Sequence, residues 1–211
     1  MKYVKMLSLA AVTVAALMAF VGSSTASATV LCKTPGTGET TGTICPSGWA
    51  YGSGTTIHAV NISSLKLDTT FKTTECTGST ITSEISTEGD ATHTVFAPEG
   101  TLTFTGCNCT RTVLKAGTIE IHWIPGTHNG TLTSNETEIT VTCSTIFGNV
   151  HCIYETTNDS LGDITGGNPA VFHSTAVINK KPTNALCSEE STWTATYEFT
   201  SPTPLYVTGH T

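Results

Sequence analysis

The sequence predicts an all-β fold, a disulfide-stapled antiparallel β-sandwich, on three observations. Ser and Thr make up roughly three in ten of residues 29–211 and alternate with apolar residues at the period of a strand, with no sustained helical period. Gly, Asn and Pro punctuate that alternation at short intervals, which sets many short strands between turns. The cysteines number eight, an even count, and all fall in the part of the chain expected to be exported.

The elements follow in chain order. Lys2 and Lys5 precede an apolar run from Met6 to Val21 and the small residues Ala26-Ser27-Ala28, the pattern of a secretory signal peptide over 1–28. That run is shorter than the ~20 apolar residues that span a bilayer. Leu31, just before Cys32, does not fit a lipoprotein cleavage site, so no stable membrane anchor is expected after cleavage. Residues 29–54 read as a disulfide-closed N-terminal arm and 55–211 as the β-sandwich domain.

Strands are expected at 55–62, 80–85, 92–97, 101–106, 109–115, 117–124, 130–133, 137–143, 150–155, 170–178, 192–200 and 204–207. Two of them show the face logic. In 192–200, Trp193, Ala195, Tyr197 and Phe199 point one way, toward a core. In 117–124, Ile119, Ile121 and Trp123 share a face opposite Thr118, Glu120 and His122.

The cysteines are Cys32, Cys45, Cys76, Cys107, Cys109, Cys143, Cys152 and Cys187. Cys32 and Cys45 bracket a Gly/Thr/Pro loop, and Cys143 and Cys152 bracket a turn at Phe147-Gly148-Asn149, so two local bridges are expected. Cys107 and Cys109, two apart on a strand, place their Cα atoms ~6.6–7 Å apart, at or beyond the reach of a relaxed disulfide. They are expected to bond Cys76 and Cys187 instead, with the partner of each left open. A zinc site is disfavoured, because Cys-x-Cys alone is not the usual ligand spacing and an oxidising space favours disulfides.

The stretch "HCIYETTNDSLGDITGGNPAVFHSTAVI" followed by "LCSEESTWTATYEFTSPTPLYV" resembles the C-terminal half of a group of secreted, cysteine-containing proteins of high-GC Gram-positive bacteria. The resemblance covers the last third of the chain and extends more loosely to "TFTGCNCT". It implies an extracellular compartment and a β-rich fold, and it carries no functional residues. Trp193, Tyr197, Pro202 and Pro204 are implied to be packing and strand-end positions.

The formal charge of −7 falls to −9 without Lys2 and Lys5, and Arg111 is the only arginine. That balance excludes a nucleic-acid partner, which needs clustered cations. The best candidate for chemistry is Glu120 with His122 on one strand face and His128 just beyond the next turn, a trio able to bind a metal or do acid–base work. Its rival is a solvated Thr-rich face. His58, His93, His151 and His173 lack a ligand spacing, and no Gly-x-Ser-x-Gly surrounds Ser83, Ser134 or Ser174.

Glu84, Glu120, Glu138 and Asp163 could form a hydrolytic carboxylate pair only if the fold brings them together. Asp159 and Asp163 lie in a segment that reads as a turn rather than a calcium loop, and Gly166-Gly167 is too short for a phosphate loop. Asn-x-Ser/Thr occurs at Asn61, Asn108, Asn129, Asn135 and Asn158, little above chance for this composition. The expectation is a secreted structural or binding module without cofactor or metal, engaging a protein or polysaccharide at or outside the cell surface. The alternative is a secreted hydrolase whose site assembles only in the fold.

Overall fold

The computed structural model describes residues 29–37, 44–69, 72–87, 89, 95–98, 100–146, 148–182 and 185–209, with the side chains of 95–98 excepted. The expected signal peptide, 1–28, and His93 lie outside the described residues. The strands are β1 (Thr29–Cys32), β2 (Thr56–Asn61), β3 (Leu65–Asp68), β4 (Thr73–Cys76), β5 (Gly78–Glu84), β6 (Val95–Pro98), β7 (Thr101–Thr105), β8 (Thr110–Lys115), β9 (Thr118–Trp123), β10 (Gly130–Thr145), β11 (Gly148–Thr165), β12 (Val171–Lys180), β13 (Glu190–Ser201) and β14 (Tyr206–Gly209).

Twelve strands form one antiparallel sheet in the order β6-β9-β10-β11-β12-β13-β2-β5-β7, with β8 on β10, β3 on β13 and β4 on β3. That sheet curls until it is nearly a barrel, so its inner faces pack on one another as in a sandwich. β1 and β14 make a separate two-stranded clasp, in which Thr29 opposes Gly209 and Cys32 opposes Tyr206. All four residues of β1 are buried. The start of the N-terminal arm is thus a core strand.

The curl comes from bulges in two long strands. β10 joins the expected strands 130–133 and 137–143, and β11 extends 150–155 through the Asn/Asp/Gly segment expected as a turn. The turn residues are absorbed as irregularities within the ladder: Glu136 and Asn158 have φ of 59° and 61°, and the register slips between Leu132 and Glu138. At Gly162, with φ of 135°, a Cβ would come within 2.0 Å of the His173 carbonyl oxygen, so glycine is required there. β11 leaves β12 between Glu155 and Gly162 and rejoins it at Ser174, which bends the sheet.

The inward positions follow the alternation. Trp193, Ala195, Tyr197 and Phe199 are all buried, and Phe172 stacks on Tyr197 with ring centroids 6.0 Å apart. Burying each large apolar side chain contributes about 1.5–3 kcal/mol. Leu65, Leu67, Ile164, Leu205 and Val207 complete the core at complete burial.

All eight cysteines are bonded. Cys32 joins Cys45 and Cys76 joins Cys107, but the expected Cys143–Cys152 bridge is replaced by Cys109–Cys143 and Cys152–Cys187. Register explains the correction. In the β10–β11 hairpin Cys143 opposes Val150 and Cys152 opposes Val141, so the two cysteines are diagonal neighbours at about 7–8 Å, too far to bond. Across the β8–β10 pair, Cys143 meets Cys109 directly in continuation of the Thr142–Thr110 register, at a Cα separation of 4.7 Å. Cys187 is then left for Cys152 rather than for Cys107 or Cys109. Four disulfides in one small domain suit an oxidising, extracellular environment.

Candidate functional site

The fold brings together only part of the expected trio. Glu120 and His122 project from the same face of β9, with His122 Nε2 3.5 Å from a Glu120 oxygen and 3.3 Å from Thr133 Oγ1. His128, in the turn between β9 and β10, sets its ring edge-on to Tyr206 at 6.2 Å. Among the described residues no group of three or more His, Cys, Asp or Glu could hold a metal.

The other candidates are dispersed. Glu138 and Glu155 oppose each other across β10 and β11, and both contact Lys181 Nζ, at 2.5 and 3.1 Å. Glu84 and Asp163 sit on β5 and β11. Ser83, Ser134 and Ser174 are buried, and Ser134 and Ser174 bond threonine hydroxyls and the Leu161 carbonyl. His58 and His151 share hydrogen bonds with Thr200 and Thr142. Asp159 accepts from the Thr157 amide.

A different place concentrates unmatched chemistry. β7 and β8 are consecutive and joined by Gly106-Cys107-Asn108-Cys109, the connection of a hairpin, yet they do not pair. β7 bonds to β5 and β8 bonds to β10. The turn is fastened on both sides. Cys107 is bonded to Cys76, and Asn108 exchanges two 3.0 Å hydrogen bonds with the Glu75 backbone. Cys109 is bonded to Cys143 in β10. The strands are thereby tied to different neighbours and leave a seam, a groove of about 440 Å3 lined by Leu102, Phe104, Arg111 and Val113 among others.

Arg111 stands at the base of this groove with 7% of its surface exposed. Its Nη2 donates to the Thr74 carbonyl and to Thr74 Oγ1, both at 2.6 Å. The guanidinium carbon lies 5.7 Å from the Phe104 ring and 5.6 Å from that of Trp193. Nε and Nη1 are buried without a hydrogen-bond partner. None of the ion pairs among the described residues includes Arg111.

Burial pulls its pKa down to about 10, since the charged form is the one desolvation disfavours. Burial also pushes the nearby Tyr197 phenol up to about 12, while its hydroxyl shares a 3.1 Å hydrogen bond with Ser79. A buried charge without a counter-ion opposes folding unless something else compensates it.

Behind the seam lies a second space, an apolar cavity of about 80 Å3 whose walls include Ile119, Ile139, Phe172 and Trp193. It adjoins the groove, because Gly100, Thr101, Leu102 and Ala116 line both. Tyr154, 1% exposed, also forms part of its wall, and the Tyr154 hydroxyl has no partner. At the same rim Thr137 Oγ1 donates to the Ala116 carbonyl at 2.7 Å and shares a hydrogen bond with Ser134.

Sequence reasoning missed Arg111 as a site residue, although its signal was present. Alternation in "CTRTVLK" puts Cys109, Arg111 and Val113 on one face, and a disulfide cysteine marks that face as the inner one. No family model, no curated protein and no solved structure matches this chain.

Proposed function

We propose that this chain is exported and acts as a binding module, taking its ligand at the groove between β7 and β8. The leader pattern over 1–28 supports export, and four disulfides support an oxidising destination. The carrying observation is Arg111: a solitary buried guanidinium with two unpartnered nitrogens, at the base of a groove that adjoins an apolar cavity. Perturbed, unmatched polar groups in a concave site are the ordinary mark of a ligand site. The hydrolase alternative has less to stand on, since among the described residues Glu120 and His122 join no group of three or more His, Cys, Asp or Glu able to hold a metal, and the Glu138 and Glu155 carboxylates are both matched by Lys181.

A thermal-shift screen of oligosaccharides, peptides and organic anions tests the reading. Ligands that raise the melting temperature of the wild type and lose that effect in Arg111→Met support it. Turnover in a glycosidase, esterase and protease panel that disappears in Glu120→Gln would overturn it in favour of the hydrolase.

A further inference from the structure

We infer that the ligand of the seam is a small amphipathic organic anion, its acidic group meeting Arg111 and its apolar body entering the cavity behind β7. This rests on the groove being a binding site. Charge comes first. Arg111 is the one cation lining the groove among the described residues, and the nearby Lys115 is already paired with Glu136. Nη2 is occupied by Thr74, which fixes the guanidinium in place, while Nε and Nη1 remain as donors with nothing to receive them. An anionic headgroup supplies the missing acceptors and the missing charge together.

Apolarity comes second. The groove carries Leu102, Phe104 and Val113 beside the arginine, and the adjoining cavity is walled by Ile119, Ile139, Phe172 and Trp193. An inorganic anion would leave that surface unused. Size comes third: a space of about 80 Å3 is smaller than the ~150 Å3 cavity that holds a benzene ring. It suits the end of an alkyl chain, with the rest of the molecule in the groove.

Access is the fourth point. Nε and Nη1 are both buried, so a headgroup reaches them only if the groove wall gives way, and the partly exposed Phe104 ring, 5.7 Å from the guanidinium, belongs to that wall.

The test is calorimetric titration of the disulfide-intact protein at pH 7 and constant ionic strength with octanoate, octyl phosphate, octanol, octylamine and acetate. Octanoate or octyl phosphate should bind at least 10-fold more tightly than octanol, with whichever is tighter reporting the headgroup. Acetate should bind at least 30-fold more weakly than octanoate, and octylamine should not bind. Arg111→Met should weaken the preferred anion by at least 10-fold. Should that variant fail to fold, the five probes on the wild type still decide.

Octanol or octylamine binding as tightly as the anions, acetate matching octanoate, or no binding by any probe would overturn the inference. If none of the five binds while a glycan or peptide still raises the melting temperature in an Arg111-dependent way, the groove remains a binding site and only this ligand class falls.

Discussion

In the wall formed by β10, β11, β12 and β13, each strand pairs with its neighbour in sequence. At the seam, β7 and β8 are neighbours in sequence and pair with others instead. The wall hides Phe172, Ala195 and Tyr197 behind strands that pair with their sequence neighbours, whereas the seam leaves Leu102, Phe104 and Val113 partly exposed around a buried charge. The difference lies in the crosslinks. Cys76–Cys107 and Cys109–Cys143 fasten the two sides of one short turn to separate strands, and hairpin closure, the usual outcome of so short a connection, is replaced by an open groove.

The sharpest contrast between the regions is packing. Phe172→Ala in the wall should lower the unfolding free energy by about 3–5 kcal/mol, while Phe104→Ala at the seam should lower it by less than about 2 kcal/mol because its ring is only partly buried. Urea unfolding of both variants measures this, and equal losses would mean that the seam is packed like the wall.

Removing Cys109–Cys143 with paired serines should lower stability by about 2–4 kcal/mol. Hydrogen exchange should then quicken in β8 before it quickens in β12. Uniform quickening would break the assignment of that bond to the seam.

The groups beneath the seam give opposed pH dependences. Tyr197, with its folded pKa raised to about 12, contributes stability that is complete below about pH 10 and is lost as pH rises toward 12. Arg111, lowered to about 10, carries a penalty that is complete below pH 10 and is relieved as pH rises above it. Tyr197→Phe removes the first effect, so relative to the wild type its stability should rise by about 2 kcal/mol between pH 10 and 12. A flat difference across that window would show that the phenol is not held protonated.

The smallest expected effect is on the unliganded Arg111→Met protein. Relief of the desolvated charge offsets the two bonds lost to Thr74, and the unfolding free energy should change by less than about 1 kcal/mol. A structural arginine would instead show a loss of about 3 kcal/mol or more, the sum of two hydrogen bonds from a charged donor.

The wall was largely legible in the sequence, because alternation at period two states which residues face inward. Trp193, Ala195, Tyr197 and Phe199 are all buried, and the antiparallel all-β class follows from the same pattern. Register was not legible, and that is why the pairing of Cys143 went wrong: a two-residue offset across the hairpin separates it from Cys152, and no local signal encodes that offset. The Asn/Asp/Gly run around Asn158 misled for a related reason, since residues that favour turns also serve bulges inside a strand. The seam was illegible because it depends on β7 and β8 refusing each other, which is a property of their distant partners. Glu120 and His122 stood out by residue type, whereas the only sequence signal for Arg111 was the strand face it shares with Cys109.

The most direct test compares the gain in unfolding free energy on adding saturating octanoate to the wild type and to Arg111→Met. A ligand bound at the seam through Arg111 stabilises the wild type by about 2–3 kcal/mol at 100-fold excess over its dissociation constant and leaves the variant nearly unchanged. Equal stabilisation of both proteins, or none of either, would contradict the account.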